Sequence, residues 1–466
     1  MKGIKREGIS METFKRSGRL SGGTGAARRN LAYRLWIVAV LITFIQLLLF
    51  VQSSQASRSL PRHDRGSKRL QPYLYPSSNS SGPAAAARHG PAVESFQLSD
   101  RSWVDCVPVE HQIAAHHPAL KNHIIHMVPS SDLLHLQEVD VSSAPVDHDQ
   151  PHPQAFAREH GGCPEGSIPV QRSEPEQIAF RKHHRPEDDY SRPDTLGAPA
   201  HEYAIISMAR EVGAYKGQGT TLSVNDPIIG DPDSEFSLSQ VWVLAGSYAN
   251  DDLNTAETGW HVYPALHPSN FPLAPHLFIY WTMDAYQGTG CYNLHCAGFV
   301  QVNRIWVLGG VLAPYTSLGE NANSEYEVRI SIVYDSQTPG WWLNVQGTWV
   351  GYWPSAIYTT LQTGADQLQW GGEIAPSDRT NGHTTTGMGS GAFAQNGFPV
   401  AAYHNQVTYA DYSGKFYDAN FSYAAVTDAN CYNLEAGNNP GSSSSGSYFY
   451  FGGPGGLDND ACAQQL

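Results

Sequence analysis

Two glutamates stand in apolar, glycine-rich settings in the C-terminal half of this 466-residue chain. Glu257 lies in Thr-Ala-Glu-Thr-Gly-Trp (255–260) and Glu373 in Gln-Trp-Gly-Gly-Glu-Ile (369–374). Each has a tryptophan three residues away, Trp260 and Trp370. An indole packed on a carboxylate strips its water, and that desolvation raises the pKa. Two carboxylates sharing one site cannot both ionise easily, so one tends to keep a proton. An acid and a base in one site are what water-mediated hydrolysis needs. The competing reading of each glutamate is a strand end with its charge in solvent, where most Glu residues lie.

The surroundings favour the first reading. From Pro199 to Leu466 there are six Lys or Arg against 23 Asp or Glu, a net −17, so few cations can neutralise two partly buried glutamates. Such acidity argues against nucleic acid and anionic membrane as partners and suits a protein that works at low pH. At the other end, residues 1–34 hold nine Lys or Arg and two Glu, and an apolar run follows from Leu35 to Val51. Small residues then place a cleavage site after Ala56. This is a secretory signal pattern; the 17-residue run also allows a signal anchor, with the basic flank cytoplasmic and the rest on the oxidising side.

All six cysteines follow that signal, and an even count in a secreted chain reads as three disulfides. Sequence order suggests Cys106–Cys163, Cys291–Cys296 and Cys431–Cys462. No cysteine pair has the tight spacing and nearby histidines of a metal site, so no metal or other cofactor is expected. The many histidines between 110 and 201 read as a surface that charges in acid, with metal binding as the alternative. Asn79 and Asn420 occupy N-x-Ser sequons, candidate glycan sites.

Composition divides the chain into 1–57 (basic lead and signal or anchor), 58–97 (disordered linker), 98–171 (a small unit closed by Cys106 and Cys163), 172–198 (a charged, cleavable linker) and 199–466. His117 to Met127 suggests a short helix plus a strand. From Glu202 onward, short β-type runs alternate with turns: Phe236 to Leu244, Leu277 to Thr282, Gly298 to Leu308, Tyr326 to Tyr334, Trp341 to Val350, Val400 to Tyr409 and Ser447 to Phe451. Only Ser355 to Thr363 suggests a longer helix. Many short strands with regular turns predict an all-β, antiparallel double-sheet sandwich.

Residues 199–466 resemble the catalytic domain of the neprosin family of glutamic prolyl peptidases. The stretches that carry the resemblance are HEYAI (201–205), FSLSQVWVLAGSY (236–248), ETGW (257–260), YWTMDAYQGTGCYNLHCAGFVQ (280–301), GYWP (351–354), WGGEI (370–374), TGMGSG (386–391), NCYNLEAGNN (430–439) and FYFGGPGG (449–456). Residues 98–171 resemble the family's activation peptide through WVDCV (103–107), HPALKNHIIHMVPS (117–130) and CPEGSIPV (163–170). The resemblance implies a secreted zymogen, a β-sandwich, catalytic glutamates at Glu257 and Glu373, and hydrolysis after proline at acidic pH. The implied partners are proline-containing peptides and the chain's own activation peptide, released in acid; a monomer is expected. The 34-residue basic lead departs from the short signal of the family.

One glutamate would activate a water while the other stays protonated, donates a hydrogen bond to the scissile carbonyl and then gives its proton to the leaving nitrogen; the sequence leaves open which does which. An oxyanion needs a further donor, and motif position offers Gln240, Tyr286 and Tyr352. Trp260, Trp281 and Trp370 are candidates for a flat slot that takes a proline ring, with core packing as their other role. Two other functions fit a β-sandwich: non-catalytic binding of carbohydrate in a cell wall, and glycoside hydrolysis by the same two carboxylates.

Overall fold

The computed structural model describes residues 89–99, 101–140, 151–172, 200–268, 271–317, 326–377, 383–438 and 446–463. They all belong to the second of two compact units, Met1–Gln71 and Pro72–Leu466. The apolar run 35–51, Asn79 and the linker from 173 to 198 lie outside the described residues.

Two antiparallel sheets form the body of the molecule. One has six strands, in the order β16 (Tyr423–Val426), β4 (Ala200–Ser207), β13 (Gln367–Ser377), β6 (Phe236–Ala245), β7 (Asn254–Val262) and β8 (His276–Thr282). The other runs β17 (Asn433–Asn438), β18 (Ser447–Gly452), β14 (Ala402–Ala410), β5 (Gly217–Ser223), β10 (Glu327–Asp335), β11 (Gly340–Val345), β12 (Thr348–Pro354) and β9 (Val300–Gln301), with β15 (Phe416–Asp418) added to β14. A third, small sheet joins β1 (Glu94–Gln97), β2 (Trp103–Pro108) and β3 (Ser167–Gln171).

Side chains alternate across a strand, and both faces of the six-stranded sheet are used. Val241, Val243, Trp260, Ile279 and Trp281 pack inward against Leu222, Ile330, Ile332, Trp341 and Leu343 of the larger sheet. Tyr203, Leu238, Trp242, Phe278 and Tyr280 point the other way, into a second apolar cluster with Tyr263, Leu266, Tyr286 and Tyr292. Every residue of β6, β7 and β8 is therefore buried, polar ones included.

Several local expectations are corrected. Trp341 to Val350 is two strands, not one: Gln346 and Gly347 both take positive φ (49° and 76°), the requirement of a two-residue hairpin turn. Within Gly298 to Leu308 only Val300–Gln301 is strand, because Asn303 Oδ1 accepts the Ile305 and Trp306 amides and turns the chain. His117 to Met127 holds a 3-10 turn (Pro118–Leu120) and no strand, and Ser355 to Thr363 holds only the turn Ser355–Ile357. A ten-residue helix, Ser131–Asp140, was not foreseen. The expected disordered linker ends earlier than 97, since Glu94–Gln97 pairs with β2.

Candidate active site

Register decides what the two glutamates meet. Glu373 on β13 lies opposite Tyr203 on β4 and Leu238 on β6. Glu257 on β7 lies opposite Trp242 on β6 and Tyr280 on β8. Both glutamates are fully buried, on the outer face of the six-stranded sheet. β6 runs between them, and midway along it Gln240 is flanked by Gly371 on one side and Gly259 on the other. The carboxylates thus stand diagonally about Gln240. Both glycines are required there: a Cβ on Gly259 would sit 2.0 Å from Ser239 O, and Gly371 has φ 144° with Ala204 O 2.2 Å from a would-be Cβ.

Each carboxylate has its own donors. Glu373 Oε1 takes His201 Nδ1 at 2.6 Å and the Tyr203 hydroxyl at 3.4 Å, and its Oε2 takes Gln240 Nε2 at 3.3 Å. Glu257 Oε1 accepts the Tyr286 hydroxyl at 2.5 Å and Thr255 Oγ1 at 2.7 Å. Burial, and then the charge of Glu257, push the Tyr286 phenol well above its ordinary range, so it stays a donor. Tyr292 answers to both carboxylates: burial, Tyr263, Glu373, Tyr280 and Glu257 together raise it well above its ordinary range.

Tyr286 and Tyr292 come from one loop that folds over the sheet face. Asp284 closes its first turn by accepting Thr289 N and Oγ1 and Thr282 Oγ1. The Cys291–Cys296 bond closes the second, and Asn293 ties it to Ile279 through both N–H···O contacts. Tyr286 itself has φ 62°, a conformation that a non-glycine residue holds only when its surroundings enforce it.

The tryptophan slot is corrected. A spacing of three puts Trp260 and Trp370 on the opposite face of the sheet from the glutamates. Both are fully buried between the sheets, and Trp260 Nε1 donates to Ser223 O of β5. Trp281 also faces the inter-sheet core, against Tyr358 and His117. The indole beside Glu257 is Trp242, its cross-strand neighbour. Of the three candidate oxyanion donors, Gln240 and Tyr286 reach the carboxylates and Tyr352 does not. Tyr352 lies on β12, in the other sheet, where its hydroxyl contacts His123 Nε2 at 2.7 Å and accepts His126 N. Sequence reasoning missed His201, Tyr203, Thr255 and Tyr292. The first two were visible in HEYAI, where an i, i+2 spacing on a strand points both to one face.

The leading segment packs on the edge of the larger sheet. Gln112 trades two hydrogen bonds with Gln301 of β9, and Gln154 trades two with Val307, each amide side chain standing in for a strand rung. Ser130 donates twice to Asp335, and Arg304 Nη1 donates to Cys163 O. His89 Nε2 lies 3.2 Å from Leu294 O, on the loop that carries Tyr292. The other disulfides join Cys106 to Cys163 and Cys431 to Cys462. His383 brings a third ligand atom near Cys431 and Cys462, but those two sulfurs are bonded to each other.

Fold and site define a β-sandwich with a buried carboxylate pair on one sheet face, led by a disulfide-closed segment seated on the sheet edge. The neprosin family model matches residues 233–454, and the model of the neprosin activation peptide matches residues 95–207. The chain belongs to the neprosin family, and that membership supports a peptidase. Among solved structures, scytalido-glutamic peptidase with a transition state analog inhibitor is similar at 10% identity over 55% of this chain and 98% of that one, with a TM-score of 0.28. CG-16, a homodimeric agglutinin from chicken liver, is similar at 10% identity over 37% of this chain and 92% of that one, TM-score 0.18. Likeness at this level says nothing about chemistry.

Proposed function

We propose that this protein is the secreted zymogen of a glutamic endopeptidase that cuts peptide bonds after proline at acidic pH. The observation that carries the reading is the placement of Glu257, Glu373 and Gln240 on one buried sheet face. In the reaction, the ionised glutamate takes a proton from water as the water oxygen bonds to the scissile carbonyl carbon. The protonated glutamate donates to the carbonyl oxygen, and a proton then passes to the leaving nitrogen as the C–N bond breaks. The Gln240 amide and Tyr286 hydroxyl supply the further donors to the oxyanion. Trp242, Tyr280 and Tyr286, rather than the core tryptophans, offer a pyrrolidine ring its apolar walls.

Family membership and a leading segment matched to an activation peptide support the zymogen reading. The signal run 35–51 directs the rest of the chain to the extracellular side, either released after Ala56 or held as a type II anchor. Among the described residues no helix is long and apolar enough to cross a membrane. The test is to express residues 58–466, acidify the product, and supply a quenched peptide with one internal proline beside a labelled glucan. Cleavage of the peptide on the carboxyl side of proline is expected; cleavage of the glucan alone would replace this reading with glycoside hydrolysis.

A further inference from the structure

An aromatic surface lies on the opposite side of the sandwich from the glutamates. Trp341 and Leu343 of β11 point into the inter-sheet core, so Trp342 between them points outward. Tyr352 of β12 is its cross-strand partner, and the two rings stack with centroids 4.4 Å apart. Trp349 stands opposite Asn344, on the same face as Trp342, and meets the Trp342 ring edge-on at 6.1 Å. The turn between β10 and β11 holds this platform: Trp342 Nε1 donates to Thr338 Oγ1, which in turn donates to Asp335. Two polar groups are left over by the sheet. The Tyr352 hydroxyl accepts from the leading segment, and Trp349 Nε1 is buried with no acceptor among the described residues.

What covers the platform is a run of the leading segment, 123–126, that takes neither helix nor strand. His123 and His126 both turn onto Tyr352, with ring centroids 5.7 and 6.2 Å from its own. His123 Nε2 lies 2.7 Å from the hydroxyl, and the His126 amide donates to it at 3.1 Å. Ile125 packs on the core, but Ile124 is 76% exposed and Val128 62%. The grip is therefore mainly on two five-membered rings three residues apart and on one main-chain amide.

Three residues is the repeat of a polyproline helix, in which i and i+3 share a face and the backbone makes no internal hydrogen bonds. Aromatic-lined grooves take such helices, because the rings stack and the chain has little conformational entropy left to lose. Proline lacks the amide hydrogen that His126 gives. A phenol both donates and accepts, so the Tyr352 hydroxyl can turn to a carbonyl instead, and Trp349 Nε1 is a second donor for another.

We infer that, once the leading segment leaves, the Trp342, Trp349 and Tyr352 face docks an extended, proline-rich stretch of the polypeptide substrate, with prolines at i and i+3 in the places of His123 and His126. This rests on the reading of the chain as the zymogen of a prolyl peptidase, and gives it a docking surface apart from the site of cleavage. A polypeptide held there presents its remaining prolines to the glutamates at raised effective concentration. Long proline-rich chains are then cut at lower concentration than short peptides.

The probe is a fluorescein-labelled peptide of Pro-Ala-Ala repeats, set beside a counterpart with each proline replaced by serine and a labelled cello-oligosaccharide. Binding is followed by fluorescence anisotropy on the full chain carrying Glu257→Gln, so that nothing is cut, at neutral pH and in acid. The proline probe is expected to bind in acid and at least several-fold more weakly at neutral pH, where the leading segment covers the face. Adding His123→Ala and His126→Ala should bring binding to neutral pH. Adding Tyr352→Phe should weaken binding in acid roughly fivefold, the worth of one hydrogen bond, and adding Trp349→Leu roughly tenfold. Tyr352→Phe keeps the ring and its volume, so it decides the matter if Trp349→Leu does not fold. With both glutamates in place, the same two changes should raise KM for a long Pro-Ala-Ala polypeptide several-fold relative to KM for a short peptide with one proline. Equal binding of the proline and serine probes, binding of the sugar in their place, or proline binding that ignores both substitutions overturns the docking surface. A chain that cuts the short peptide in acid while its Glu257→Gln form binds no proline probe overturns the surface alone. A chain that binds the probe through these residues and cuts no peptide keeps the surface and overturns the peptidase reading.

Discussion

At the scale of single residues, the site is a set of cross-strand neighbours. Changing either glutamate to glutamine removes an acid or a base and preserves volume. We expect kcat to fall by a factor of about 10² to 10⁴ for Glu257→Gln and for Glu373→Gln, with the circular dichroism spectrum unchanged. Near-wild-type turnover in either variant would remove that residue from the mechanism. Gly259→Ala tests the frame instead. Its Cβ would meet backbone oxygen at 2.0 Å, and backbone cannot swing aside as a side chain can. A loss of about 2 kcal/mol or more in unfolding free energy is expected, within the range for strained backbone positions; a denaturant midpoint equal to wild type would refute the close approach. The sequence showed which carboxylates to look at, but not their neighbours. A tryptophan three residues from a glutamate is close when counted along the chain. On a strand the odd spacing puts it through the sheet, and the indole that meets Glu257 lies 15 positions earlier, at Trp242, a distance that only the β6–β7 register closes.

At the scale of elements, alternation and turn residues made most strands legible: Phe236–Ala245, His276–Thr282, Glu327–Asp335 and Ser447–Gly452 lie within a residue or two of the runs read from sequence. What failed was local competition. Asn303 ended one strand with its side chain, and Gln346–Gly347 folded another in half. The loop that carries Tyr286 and Tyr292 invites its own test. Its disulfide spans five residues of sequence, so the chain-entropy gain is about 2 kcal/mol, near the low end for such bonds. The double variant Cys291→Ser, Cys296→Ser should therefore remain folded while Tyr286 and Tyr292 lose their fixed places. We expect a larger fall in kcat than in thermal stability; unchanged kcat would show that the loop holds itself through Asp284 and Asn293 alone.

At the scale of the whole molecule, the question is what acid does to the contact between the leading segment and the sandwich. His89, His117, His123 and His152 of that segment are all lowered by burial, His152 to about 4. They press on Leu294 O, Trp281, the Tyr352 hydroxyl and Trp306, none of which is a carboxylate. Burial in these contacts disfavours the charged form of each ring, and for His89 it outweighs the Leu294 carbonyl, which pulls the other way. The sign follows. A histidine whose pKa is lowered when docked stabilises docking fully above about 6.5 and loses that contribution as pH falls toward the docked value, about 4 for His152. Asp335 acts in a lower window. Burial raises it, but hydrogen bonds from Thr338, Ser130 and Gln337 outweigh that and hold it below 3.8, so its grip on Ser130 survives until the pH drops beneath that value.

Acid should therefore loosen the leading segment before it disturbs the sandwich, since residues 199–466 carry a net negative charge that protonation relieves rather than adds to. Hydrogen exchange at the Val307 amide, held by Gln154, reports docking, and near-ultraviolet circular dichroism of the core tryptophans reports the sandwich. Corrected for intrinsic exchange rates, protection at Val307 should fall between pH 6.5 and 4 while the tryptophan signal holds. His152→Phe keeps the aromatic contact with Trp306 and cannot charge, so it should move the loss of protection to lower pH by roughly half a unit, the other three histidines still contributing. A single transition in which both signals vanish at one pH, or a His152→Phe variant that opens at the wild-type pH, would show that the histidines do not govern release and that acid acts on the molecule as a whole.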